Sequence, residues 1–129
     1  MECFESFEKF CKALKTNGAF LVVSDGEGHT NIMTIGWAQM GFIWGKVVMS
    51  VLVRPSRYTF KLMEKAKYFT VCVPPEGEMK RELAFCGSKS GRDHDKVKEC
   101  GFDLKKGEHE ELFYIGGSEF VYECKMLEH

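Results

Sequence analysis

Two arginines, two aliphatic hydroxyls and a proline crowd the stretch Arg54-Pro55-Ser56-Arg57-Tyr58-Thr59. That mixture suits an anion. The residues before it, Val47 to Val53, are mostly β-branched or aliphatic, which predicts a strand covered on both faces. Pro55 ends that strand, because it has no N–H for a ladder and holds Arg54 in extended geometry. Tyr58 to Ala66 then has helical spacing, with Tyr58, Leu62 and Ala66 on one face, and Ser56 or Thr59 is placed to cap it. Cations, hydroxyls and unpaired backbone N–H groups thus meet at a helix N-terminus, where the dipole favours negative charge. A phosphate monoester fits such a place. A plain helix cap flanked by solvated arginines fits the same residues.

Two other stretches carry groups that could join it. Asn31 to Trp37 offers an amide, a hydroxyl, a glycine gap and an indole along one predicted strand. An interior glycine marks a bulge or a close approach to the backbone; the plainer reading is a core strand with one large aromatic. Gly87-Ser88-Lys89-Ser90-Gly91-Arg92, with Lys96 one helical turn on, reads alone as a flexible surface loop. Such a loop can also form a concave set of N–H groups and cations for phosphate or a polar ring edge. The sequence contains no recognisable catalytic triad or metal cluster. Cys3, Cys11, Cys72, Cys86, Cys100 and Cys124 form no C-x-x-C pair and show no zinc spacing with histidine. They read as reduced thiols of a cytoplasmic protein, since a disulfide framework is unexpected beside a core of this size.

The elements that must position these groups follow from periodicity and turn residues. Residues 3–16 form an amphipathic helix through Phe4, Phe7, Cys11 and Leu14, stopped by Asn17-Gly18. Strands are expected over 19–23, 31–38 and 68–73, the first two joined by a turn at 25–28 and the last closed by Pro74-Pro75. Phe42 to Trp44 and Gly45 stand at hairpin spacing from the Val47 strand. Short helices are expected over 79–85 and 93–100, the second capped by Asp93 and ended by Gly101, with a loop over 86–92 between them. Strands over 112–115 and 119–126 flank Gly116-Gly117. Short strands linked by tight turns and interrupted by helices predict a mainly β fold, an antiparallel barrel with attached helices. A doubly wound sheet is disfavoured, because helices do not alternate with strands and no G-x-G-x-x-G follows the first strand. Length predicts one domain over residues 1–126. A net charge of -1 argues against a nucleic-acid or membrane-surface binder. The acidic N-terminus lacks a signal-peptide layout, and no apolar run reaches the length of a membrane span. His29, His94 and His109 read as surface residues, with His94 nearest the loop.

Asn31-x-Met33-Thr34-Ile35-Gly36-Trp37, Arg54-Pro55-Ser56-Arg57-Tyr58-Thr59 and Ser90-Gly91-Arg92-x-x-Asp95-Lys96 together resemble the flavin reductase-like, FMN-binding split barrels. The flavoredoxin branch is the most similar, and the resemblance runs from residue 15 to 126. It implies a split β-barrel homodimer that holds FMN non-covalently near the dimer interface. Asn31, Met33, Thr34, Ile35, Gly36 and Trp37 would then lie along the flavin, and Ser50 and Val51 would present backbone groups to its ring edge. Arg54, Ser56, Arg57, Tyr58 and Thr59 would take the phosphate and ribityl end. Ser90, Gly91, Arg92 and Lys96 would complete the phosphate pocket. The chemistry of the residues agrees, since FMN needs bidentate cations, hydroxyls, free amides and an apolar slot. Donors near N1 and C2=O of the ring would favour the reduced flavin. No catalytic side chain is required, because the flavin itself carries hydride or electrons. The resemblance implies an FMN-dependent oxidoreductase drawing on NAD(P)H or a redox protein partner. An electron carrier with no substrate of its own, and a split-barrel module that binds without turnover, remain the alternatives. Members of the family run on past residue 126. Leu127-Glu128-His129 reads as the start of a tag remnant, leaving either a compact version or a chain without a C-terminal segment.

Overall fold

The computed structural model describes residues 3–109 and 111–127, apart from the side chains of Cys3 and Phe4. Phe4 on the face of the first helix, and the tag-like Glu128 and His129, therefore lie outside the described residues. Helix α1 (Cys3–Lys15) carries Phe7 and Leu14 against the core. It ends where Gly18, at φ 91°, donates its N–H to the Ala13 carbonyl at 2.8 Å.

Strand β1 (Ala19–Ser24) is a continuous apolar run because both of its faces are covered. Ala19, Leu21 and Val23 pack with Phe10 of α1 and with Leu62 and Met63 of α2 (Tyr58–Lys65). Phe20 and Val22 pack on the other side with Leu83 and Cys86 of α3 (Lys80–Ser88). Strand β5 (Tyr68–Val73) divides its side chains in the same way, Phe69, Val71 and Val73 to the first core and Cys72 to the second. With β2 (Thr30–Ile35) and β8 (Phe120–Lys125) at the edges, these strands make an antiparallel sheet of order β2-β1-β5-β8. Helix α4 (Lys96–Cys100) and the small hairpin β6 (Leu104–Lys106) and β7 (Phe113–Ile115) help to cover the second core. Strands β3 (Ala38–Ile43) and β4 (Lys46–Val51) form a separate hairpin. Its turn is Trp44-Gly45 with φ 52° and 75°, the doubly left-handed turn that matches strand twist. The fold is mainly β with attached helices. Its described strands form three sheets rather than one closed ring, as in a split barrel.

Several expectations need correction. The two-face burial expected of residues 47–53 belongs to β1 and β5 instead. Strand β4 stops at Val51, and Val47 and Leu52 are 45% and 64% exposed. Aliphatic composition records that a surface is apolar, not what lies on it. The strand expected over 31–38 is two strands with a break at Gly36-Trp37, and Trp37 is 66% exposed rather than core. Helix α3 runs on to Ser88 and takes in residues expected to be loop. Helix α4 begins at Lys96, and its cap is Asp95 rather than Asp93, the carboxylate accepting the Lys98 N–H at 3.2 Å. Strand β6 was not expected, because three residues with two lysines show no alternation to read. Among the described residues, no helix is long and apolar enough to cross a membrane.

Candidate functional site

Edge strand β2 lies between two helices and bonds to each. The Asn31 side-chain amide, buried, donates to the Thr59 hydroxyl on α2 at 2.8 Å. The Thr34 hydroxyl donates to the Leu83 carbonyl on α3 at 2.6 Å. Side chains alternate along a strand, so Met33 and Ile35 join the core with α2, and their side chains are spoken for. The Asp25 N–H donates to the His29 carbonyl at 3.0 Å, which fixes the phase of the β1–β2 ladder. With that phase, Asn31, Met33 and Ile35 turn their backbone groups to β1, whereas Ile32 and Thr34 turn theirs to the open edge.

Helix α2 begins without a side-chain cap. Arg57 is its N-cap residue, at φ -75° and ψ 143°, and makes no capping bond; neither Ser56 nor Thr59 supplies one. Thr59 is committed to Asn31, and the Arg57 N–H donates to the Arg54 carbonyl at 2.9 Å. The N–H groups of Tyr58 and Thr59 have no partner among the described backbone bonds. They stand at the positive end of an eight-residue helix, with Arg54 and Ser56 exposed beside them.

The third stretch locks onto the other two through a glycine. A Cβ on Gly91 would lie 2.5 Å from both the Asn31 Oδ1 and the Tyr58 Cδ2. Only a residue without a side chain lets the loop pass between strand and helix there. Gly91→Ala is therefore expected to destabilise the protein by ~1–3 kcal/mol, the usual cost of overpacking, and a thermal melt of the variant checks it. Next to it, the Arg92 Nη1 donates to the Ser56 carbonyl at 3.2 Å, and the guanidinium lies 5.7 Å from the centroid of the Tyr58 ring. The Arg92 N–H donates to the Ser90 hydroxyl at 3.1 Å.

Two cations converge on the end of α3. Lys96, 3% exposed, donates from Nζ to the Cys86 carbonyl at 3.0 Å. The Arg57 Nη2 reaches the same oxygen at 3.3 Å, and its Nη1 reaches the Gly87 carbonyl at 3.5 Å. Both meet the negative end of the α3 dipole. Burial pushes the Lys96 ammonium below its ordinary pKa of 10.5; the Cys86 thiol opposes that shift and Arg57 adds to it. In the protein alone, Lys96 holds the loop to α3.

Asn31, Thr34, Arg57, Tyr58, Thr59, Gly91, Arg92 and Lys96 are thus drawn into one neighbourhood. Ser50 and Val51 are placed elsewhere, lining an apolar groove of about 230 Å³ with Met49, Phe60, Met63 and Met126. Gly36 and Trp37 are exposed at the break between β2 and β3. The sequence reading missed the carbonyls of Leu83, Cys86 and Gly87, which organise Thr34, Arg57 and Lys96. The only signal for them was helical spacing running past Phe85, and the small residues Cys86-Gly87-Ser88 masked it.

With this geometry in place, comparison with other proteins is informative. The sequence profile of the family described as "Flavin reductase like domain" matches residues 14–129. An uncharacterised protein of Pyrococcus abyssi is 32% identical over 85 residues, 66% of this chain and 47% of its own length. The structure of flavoredoxin from Desulfovibrio vulgaris (Miyazaki F) superposes with a TM-score of 0.73 at 26% identity, over 85% of this chain and 59% of that one. An FMN-binding protein from Thermus thermophilus, solved with bound 1-cyclohex-2-enone, gives a TM-score of 0.73 at 28% identity, over 85% and 58%. This chain therefore spans about half to three-fifths of the length of these relatives.

Proposed function

Since this chain belongs to the flavin reductase like domain family, we propose that it binds FMN where β2, the start of α2 and the 90–92 loop meet. On this reading it is an FMN-dependent oxidoreductase that draws hydride or electrons from NAD(P)H or a redox protein. One observation carries the proposal: the uncapped N-terminus of α2, where the Tyr58 and Thr59 N–H groups make no described backbone bond among Arg54, Ser56, Arg57 and Arg92. A dianionic phosphate is the group that such an end lacks.

The residues divide the work by chemistry. Arg54, Arg57 and Arg92 supply charge and bidentate reach for the phosphate, and Ser56 and Ser90 supply hydroxyls. Asn31, Thr59 and Gly91 set the distance between strand, helix and loop. The open edge of β2 at Ile32 and Thr34, and the break at Gly36-Trp37, offer backbone polar groups and apolar area to a ring. Lys96 holds the loop in place from behind. FMN, when bound, supplies the acceptor and donor of hydride or single electrons.

A second copy of the chain belongs to the same proposal. Phe42 and its cross-strand partner Val47 are exposed on one face of the hairpin, with Trp44 at its turn and Ile43 on the other face, apolar area of the kind a partner covers. Burial of this face in a homodimer would carry Ser50 and Val51, on the same strand, to the interface. The cytoplasm, where thiols stay reduced, is the compartment this reading assigns.

The test is the visible spectrum of the purified protein after incubation with FMN, before and after anaerobic NADH or NADPH. A flavin spectrum that bleaches supports the oxidoreductase. Bleaching by a reduced redox protein but by neither nicotinamide makes the protein an electron carrier. A preparation that takes up no FMN overturns the proposal.

A further inference from the structure

Helix α4 ends on a cysteine, the last turn of α3 carries another, and both side chains belong to one apolar cluster. Cys86 is fully buried, whereas Cys100 lies half-open at the rim of the same apolar cluster. Each thiol stands near enough to act on the charge of the other. Both helices pack on β2, so regular structure fixes where the two cysteines stand. The Lys96 ammonium, anchored on the Cys86 carbonyl at 3.0 Å, favours the thiolate of either sulfur. Glu82 opposes it at both positions, and Glu99 opposes it at Cys100.

We propose that Cys86 and Cys100 form a dithiol–disulfide site that exchanges with low-molecular-weight disulfides. The site needs no flavin, so it stands or falls separately from the function proposed above. Exposure assigns the order of events. The Cys100 thiolate attacks one sulfur of the small disulfide; its S–S bond breaks, and the first thiolate leaves and takes up a proton. Cys100 now carries a mixed disulfide. The Cys86 thiolate then attacks the Cys100 Sγ, the bond to the small thiol breaks, and the second small thiol leaves with a proton. Two protein thiols are oxidised to one disulfide, and one small disulfide is reduced to two thiols. Cys86 needs contact with nothing but Cys100, so its burial is no obstacle. Burial pushes the Cys86 thiol up to about 12 and raises that of Cys100 as well, so the exchange is slow at neutral pH. The closed bond would tie together the two ends of the segment that carries Ser90, Gly91, Arg92 and Lys96.

The test is incubation of the folded, full chain with oxidised glutathione, followed by non-reducing peptide mapping. The expected product is a peptide pair joined through Cys86 and Cys100, two hydrogens lighter than the separate peptides and released by dithiothreitol. Cys86→Ser should stop at a glutathione adduct on Cys100. Cys100→Ser should slow modification of Cys86 by at least ~10-fold, since the buried thiol has lost its route to the reagent. Mapping of the unaltered chain carries the test if either variant folds poorly. The proposal is overturned if both thiols survive in the folded protein. It is equally overturned if the Cys100 adduct accumulates without closing, or if Cys86 reacts as fast without Cys100.

Discussion

With FMN seated as proposed, Gly36→Val is expected to leave the fold intact and weaken flavin binding. No protein atom lies within 4 Å of a Cβ built on Gly36, so a side chain there displaces nothing of the chain itself. The residue follows β2 in an exposed break, where a β-branched residue meets no packed neighbour. The thermal midpoint of the FMN-free protein should therefore match that of the unaltered chain. What the valine does meet is any ring laid along the end of β2. Forcing a branched side chain into an occupied slot costs ~1–3 kcal/mol, roughly a ten- to hundred-fold rise in the Kd for FMN. Fluorescence titration with FMN, run beside a thermal melt, reads both quantities on one sample. Full flavin occupancy in the variant would show that nothing approaches the chain closely there. Gly91 makes the contrast plain, because its missing Cβ is already claimed by Asn31 and Tyr58. One glycine leaves room for a ligand; the other leaves room for the protein.

Arg57→Ala is expected to weaken FMN binding by ~1.5–3 kcal/mol, the worth of a hydrogen bond to a charged group. In the protein alone, Arg57 spends its guanidinium on the Cys86 and Gly87 carbonyls at 3.3 and 3.5 Å. Those distances lie at or beyond the outer edge of good hydrogen-bond geometry. Losing them should change stability by less than ~1 kcal/mol. Lys96 makes the shorter, buried bond to the same oxygen and keeps the end of α3 satisfied. The substitution thus separates binding from folding, and calorimetric titration of FMN into the variant measures the first directly. An unchanged affinity would leave Arg57 with no part in binding beyond its two bonds to the end of α3.

The parts of this site legible in the sequence were those encoded locally. The spacing of Phe7, Cys11 and Leu14, the start of α2 at Tyr58 and the run Tyr68 to Val73 each depend on neighbours a few residues away, and each element appears where expected. Long-range covering was not legible. Val47 and Val22 are equally β-branched, yet one faces solvent and the other is buried among α3, β2 and β5, and nothing within either strand distinguishes them. The candidate site divides in the same way. Residue types made Arg54 to Thr59 a candidate anion site, but the interlocking of Asn31, Tyr58 and Gly91 depends on contacts across 27 to 60 positions. Lys96 has a role that its type alone does not give: its ammonium donates to the Cys86 carbonyl and so ties the loop to α3.

The turn that places Trp44 at the tip of the β3–β4 hairpin decides how this protein will look in a fluorimeter. It has two tryptophans, Trp37 and Trp44, 66% and 96% exposed. Neither indole is in the core, so emission from the isolated chain should already be red-shifted when folded and should change little as denaturant is added. The same indoles become sensitive wherever the hairpin is covered. A blue shift that grows with protein concentration would therefore report assembly, in an experiment where unfolding is nearly silent.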